Sequence, residues 1–214
     1  MSAPTGLTDT RAPSWSGYAV RHRATLIVVV GALAALAVVV LLGGGARTVT
    51  ALDPDNPGPD GAQALARVLE DQGIDVSVAR DAEALEATEV ADTTIVVTST
   101  ELLGESTTRR LLTHARGASL VLVDPGPGLV DTIGNGEPPS RVTLSDGRSA
   151  QCADPVFADL SVEVDRALAY PGDGCFPGED GSLVVESGDI TLFGLSEALT
   201  NDQILRADNA AAAF

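Results

Sequence analysis

Residues 93–124 read TTIVVTSTELLGESTTRRLLTHARGASLVLVD, and this stretch decides the fold. Its ends are short apolar runs rich in β-branched residues, TIVVT at 94–98 and SLVLV at 119–123. That is the composition of strands buried on both faces. Between them the period changes. Thr108, Leu111, Leu112 and Ala115 recur at helical spacing over 105–116, and Gly117 ends that helix. Strand, helix and strand in so little chain imply a right-handed crossover joining two parallel strands.

Upstream, residues 47–52 alternate like a strand and stop at DPDNPGPDG, 53–61, where Pro, Asn and Gly force a loop. The spacing predicts a helix over 59–72. Pro59 suits its first turn, Asp60 sits near its positive end, and Ala62, Leu65, Ala66 and Leu69 form one apolar face. Gly73 is its stop. Residues 74–79 read as a short strand and 82–87 as a brief helix. Downstream, PGPGLVDTIGNGEPPS (125–140) reads as a long loop and 141–177 as short, poorly periodic pieces. Residues 183–186 and 190–193 pattern as a hairpin through Ser187, Gly188 and Asp189. The last stretch, 196–214, begins to look helical. The expected class is α/β: a mostly parallel, flavodoxin-like sheet with helices on both faces and a C-terminal β-hairpin extension.

Residues 24–42, ATLIVVVGALAALAVVVLL, carry no charge. At helical rise these roughly 19 residues span about 28 Å, close to the hydrocarbon core of a bilayer. Arg11, Arg21 and Arg23 precede the run and only Arg47 follows it closely. The basic excess orients residues 1–23 as a cytoplasmic tail and, after a 43–46 linker, residues 47–214 as an extracytoplasmic domain in a single-pass membrane protein. Trp15 and Tyr18 suit the headgroup layer. Two other readings stand beside the anchor. Gly44 and Ala46 would suit signal-peptide cleavage, though the apolar run is longer than such peptides use. A buried soluble helix would need a polar face that the run lacks.

Charge sharpens this polarity. The chain has a formal net charge of −17, and all 13 basic residues are arginine. Three arginines and one aspartate lie in residues 1–45; ten arginines and 29 acids follow. So acidic a domain, with so few aromatic residues, repels phosphate backbones and excludes nucleic acid as a partner. An apolar fraction of 44% excludes a disordered chain. Cys152 and Cys175 both fall in the outside portion. One disulfide is the reading that fits an oxidising compartment, and two unrelated thiols are the alternative. A bridge there would stabilise by roughly 3 kcal/mol in the chain-entropy account. Two cysteines without CxxC spacing or a nearby histidine do not make a zinc site.

Four stretches carry a family resemblance: DNPGPDGAQALARVLEDQG (55–73), TTIVVTSTELL (93–103), GCF (174–176) and LTNDQILRADNAAAAF (199–214). With the preceding apolar span, they resemble the actinobacterial, membrane-anchored domain of unknown function 4350 family. The resemblance implies a fold similar to class I glutamine amidotransferases. It also implies an assembly at the membrane with a MoxR-like AAA ATPase system, beside the lipid bilayer itself. Family members usually continue past the NAAAAF-like segment to a second membrane helix. This chain ends at Phe214, which leaves open a fragment or a last helix without its usual packing partner.

Ligands of parallel α/β folds gather beyond the carboxyl ends of the strands. Those ends supply Asp53, Asp55 and Asn56, then Ser99, Thr100 and Glu101, then Asp124, Gly126 and Gly128. Asp60 joins the first group as a candidate. An amidotransferase needs a cysteine on a strand-to-helix elbow, activated by a histidine. After Val123 the chain reads DPGPG, with proline where that cysteine would stand. His114 is the domain's one histidine and lies on a helix flank. Fold resemblance therefore comes without the enzyme's chemistry. Asp53, Asp55 and Asp60 invite a calcium loop, but Pro57 and Ala64 occupy positions that an EF-hand gives to ligands. A looser cation site and plain solvated charge remain the two readings of these acids. Asp60 already occupies the positive helix end, which disfavours an anion there. Ser99 lacks an evident base and reads as a cap or turn residue. No cofactor or metal is expected. Two functions follow: a non-catalytic binding or scaffold component of a membrane complex, or a carboxylate-dependent hydrolase of the cell envelope using Asp53, Glu101 and Asp124.

Overall fold

The computed structural model describes residues 49–134 and 136–213. The expected span 24–42 and its cytoplasmic tail lie outside the described residues. Among the described residues no helix is long and apolar enough to cross a membrane. The elements run α1 (Gln63–Asp71), α2 (Ala82–Glu86), β1 (Thr94–Val97), a 3-10 turn (Thr100–Leu102), α3 (Glu105–His114), β2 (Ser119–Val123) and α4 (Pro127–Thr132). There follow β3 (Ser140–Thr143), β4 (Arg148–Ser149), β5 (Ser161–Val162), β6 (Arg166–Ala169), β7 (Cys175–Gly178), β8 (Gly181–Ser187) and β9 (Ile190–Phe193). A second 3-10 turn (Ser196–Leu199) and α5 (Asn209–Ala212) close the fold.

The chain is α/β, as expected, but the sheet is mixed. Five strands lie in the order β1-β2-β9-β8-β7. β1, β2 and β9 are parallel, with Val97 opposite Leu122 and Val123 opposite Phe193. β9–β8 and β8–β7 are antiparallel. The predicted hairpin exists, yet it is no extension. Its second strand sits between β2 and β8, at the centre of the sheet. Two small antiparallel ribbons, β3–β6 and β4–β5, occupy the region that lacked a clear period.

Alternation along β2 sorts the core onto the two faces. Leu120 and Leu122 pack with Leu111 of α3 and Ala115 just past its end, Leu129 and Val130 of α4, Tyr170 and Leu192. Val121 and Val123 join the other cluster, with Phe176, Leu183, Phe193 and Leu195. Leu65 of α1 and Ala212 of α5 cover part of that second face, and ribbons and irregular chain cover the rest. Leu168 N–H donates to the Gly194 carbonyl at 2.9 Å, and Gly194 N–H to the Leu183 carbonyl at 2.8 Å. A side chain at Gly194 would collide with the Leu168 carbonyl oxygen, so only glycine lets β6 approach there.

Several boundaries differ from expectation. Residues 49–52 and 74–79 form no strand. Alternation shows that a segment suits a strand but does not provide it with a partner. β1 is an edge strand, not one buried on both faces: Val96 is 52% exposed. α4 lies inside the expected loop 125–140, because Pro127 stands at a helix start, where its missing N–H costs nothing. α1 starts at Gln63, later than expected, since residues 58–61 are folded into the preceding loop. The final stretch holds only one 3-10 turn and a four-residue helix.

Candidate functional site

The carboxyl ends of β1, β2 and β9 lie side by side because the three strands are parallel. Thr100 follows β1, Asp124 follows β2 and Ser196 follows β9. Thr100 is buried, and its hydroxyl donates to the Val123 carbonyl at 2.8 Å and the Asp124 carbonyl at 3.1 Å. Asp124 takes a positive φ of 47°. That is an uncommon conformation for a residue with a side chain, and such positions cluster at functional sites. Its N–H donates to the Phe193 carbonyl at 2.8 Å, which ties the ends of β2 and β9 together. The Ser196 hydroxyl donates to Asp124 Oδ2 at 2.5 Å. Asp124 Oδ1 is buried and has no hydrogen-bond partner among the described residues.

This arrangement shifts the carboxyl. Burial pushes the Asp124 pKa up, the Ser196 hydrogen bonds pull it back, and the nearby Glu197 charge pushes it up again. Tyr170 is fully buried, and its hydroxyl donates to the Pro125 carbonyl at 3.3 Å. Burial, with the Asp124 charge, drives the phenol upward, so it stays protonated.

The loop holding Asp53, Asp55, Asn56 and Asp60 is a compact, internally bonded unit. Asp53 Oδ1 accepts the Asp55 N–H at 2.8 Å, closing an Asx turn. Arg80 bridges both carboxylates, 2.9 Å from Asp53 and 2.6 Å from Asp55. The Asp53 and then the Asp55 hydrogen bond hold the Arg80 guanidinium pKa above its ordinary value. Asn56 is buried; its amide donates to the Thr50 carbonyl at 2.9 Å and accepts the Gly58 N–H at 2.8 Å. Its contact with Asp60 Oδ1 is 3.3 Å. Any side chain at Gly61 would strike the Asn56 carbonyl.

Asn201 carries this loop to the strand ends. Its Nδ2 donates to the carbonyls of Asn56, at 3.0 Å, and Gly58, at 2.6 Å. Its Oδ1 accepts the Ala64 N–H at 2.7 Å and so caps α1 from far along the chain. Asn201 lies just past the 3-10 turn that begins at Ser196. The loop with Asn201 is one hydrogen-bonded group and Ser196, Asp124 and Thr100 are another; the 3-10 turn from Ser196 to Leu199 joins the two into a seam at the carboxyl end of the parallel strands.

The expected residues divide accordingly. Asp53, Asp55, Asn56 and Asp60 belong to one loop, and Asp124 joins Ser196. Ser99 precedes Thr100 and makes no side-chain capping bond; Glu101 is exposed beside it. His114 stands on the last turn of α3, at the opposite end of β2 from Asp124. Its Nε2 lies 3.2 Å from the Thr88 carbonyl. The cysteines are bridged, Cys152 to Cys175, with Cα atoms 4.9 Å apart. That removes both as nucleophiles. Among the described residues, no three His, Cys, Asp or Glu side chains group to hold a metal ion. Arg80 occupies the faces of Asp53 and Asp55 that a cation would use.

Ser196, Asn201 and Arg80 were not singled out from the sequence. Ser196 had a signal: it directly follows the apolar run of β9. That signal counts only once β9 is known to be parallel to β2. Asn201 lies within LTND, and nothing local reveals that it caps a helix so far upstream.

No curated protein and no solved structure matches the chain. Residues 54–214 match the model of a family described as Domain of unknown function (DUF4350), and the chain belongs to that family.

Proposed function

We propose that this is a non-catalytic binding domain, anchored through residues 24–42 and acting outside the cytoplasm as a scaffold component of a membrane complex. The observation that carries the reading is the seam. Thr100, Asn56 and Asn201 spend their polar groups on backbone partners, and both cysteines are bridged. The only histidine of the domain stands at the far end of the sheet from Asp124. Among the described residues, no nucleophile–histidine pair supports acyl transfer. The domain has a mixed α/β sheet, and it displays exposed acids, Glu101 among them, at the carboxyl end of its parallel strands. A MoxR-like AAA ATPase system with its membrane proteins is the assembly that the resemblance suggests. The test is chemical cross-linking in native membranes, comparing the wild type with Glu101→Ala and Asp55→Ala variants of unchanged melting temperature. A cross-linked partner weakened by either variant is expected. A protein that forms no cross-link in either background defeats the reading.

One observation favours a hydrolase as the second reading. The Ser196 hydroxyl is bonded to a buried carboxylate, Asp124, whose basicity burial raises. Ester, amide and phosphoester substrates offered to the purified protein test it. Turnover must disappear in both Ser196→Ala and Asp124→Asn.

A further inference from the structure

The open edge of the sheet and one unpaired segment match each other. β1 ends the strand order, so among the described residues one of its sides carries no strand. Its sequence TIVV is short but carries no charge, no proline and no bulge to protect the edge. Ser119 N–H donates to the Thr93 carbonyl, which fixes the alternation along the strand. The Thr93 carbonyl and the backbone groups of Ile95 and Val97 therefore face β2, and Thr94 and Val96 turn theirs outward.

Residues 74–79 read IDVSVA, with Ile74, Val76 and Val78 alternating against polar neighbours. They are extended in sequence pattern, have no strand partner, and leave Ile74 47% and Val78 40% exposed. Both ends are fixed. Ile74 N–H donates to the Leu69 carbonyl at 3.0 Å, and Arg80 is held by Asp53 and Asp55.

The connection from this segment to β1 is also in place. Helix α2 lies on the sheet face that α3 uses: Leu85 packs into the cluster of Leu111 and Leu120, and Glu86 pairs with Arg110 at 2.8 Å. A crossover on that face, with the same right-handed sense as β1–α3–β2, puts the preceding strand outside β1 and parallel to it. Residues 80–93 are long enough for such a crossover.

We propose that residues 74–79 form a strap that closes on the outer edge of β1 as a sixth, parallel strand. Closure pairs the outward groups of Thr94 and Val96 and buries the apolar positions of the strap. It also sets the strap's carboxyl end, next to Arg80, beside Ser99 and Glu101. The strap is thus a movable wall of the candidate site.

Residue-resolved amide exchange on the full chain in detergent micelles tests this. The comparison is between the wild type and two variants, Val76→Pro and Ser77→Pro, made separately because neighbouring strand residues point opposite ways. Thr94 and Val96 amides are expected to exchange at least about tenfold slower in the wild type than in one of the variants. Leu120 and Leu122 amides, inside the sheet, must stay protected in all three as the control for folding. Equal exchange of Thr94 and Val96 in all three proteins overturns the proposal. So does protection that rises with protein concentration, which would mean that a second copy fills the edge. The wild type alone supplies a further measurement should the variants fail to fold. Backbone nuclear Overhauser contacts between 74–79 and 94–97 are expected, and their absence rejects the strap.

Discussion

Asn201 shows how far one side chain can reach. Ala62, at the head of α1, offers no side-chain cap, and Asn201 supplies it while holding two loop carbonyls. Asn201→Ala leaves an N–H and two carbonyls without those partners and is expected to cost about 2–3 kcal/mol in urea denaturation. Asn201→Asp keeps the cap but not the donations and should fall between. Asp124 makes a prediction about pH. Its pKa is raised by burial, so between the ordinary carboxylate range and its folded value the native state binds more protons than the unfolded state. Stability from this group therefore falls as pH rises through that window. Subtracting the denaturation curves of Asp124→Asn from those of the wild type isolates it. The wild type should gain stability relative to the variant as pH falls from neutrality toward the ordinary carboxylate range. A flat difference would show that Asp124 is not desolvated.

At the scale of elements, the disulfide and the central hairpin matter most. Cys175 opens β7, and Cys152 lies in the irregular chain that covers the second face. The bridge restrains a segment with little regular structure of its own. Replacing both cysteines by serine is expected to lower stability by roughly 3 kcal/mol, read as a lower denaturation midpoint with a somewhat steeper slope, since the uncrosslinked unfolded chain is more expanded. The exposed ion pairs are a contrast. Arg110–Glu86 lowers the Glu86 pKa, and Arg109–Glu105 is a one-turn helix pair. Both are exposed, and removing either should change the midpoint little.

For the whole molecule, the order β1-β2-β9-β8-β7 makes the part of the chain after Asp180 indispensable. Deleting everything after Asp180 removes β8 and β9, exposes the β2 edge, and takes Leu183, Val184, Leu192 and Phe193 from the core. Such a chain is expected to show no cooperative unfolding transition. A hairpin that merely extended a finished sheet would leave a folded remainder, and a cooperative melt of the truncated chain would restore that picture.

The β1–α3–β2 unit was legible because its signals are local. Two apolar runs and one helical period lie within 32 consecutive positions, 93–124, and a glycine closes the helix. The hairpin was legible for the same reason. Asp124 could be named as a strand-end residue from the punctuation that follows an apolar run; Asp53 and Asp55 were named by the same rule, but residues 49–52 form no strand, and these acids belong to a loop. The helix α4 was hidden because Pro127 and Gly128 read equally well as loop residues.

Sequence alone thus determined the class of fold, the hairpin and the uneven distribution of charge along the chain, since each depends on spacing, composition or sign of charge. Only the tertiary structure decided that β9 lies beside β2, that Ser196 meets Asp124, and that Asn201 caps α1. Those outcomes depend on which distant surfaces bury each other best. The local pattern along a strand says which side faces the core but not which strand will be its neighbour.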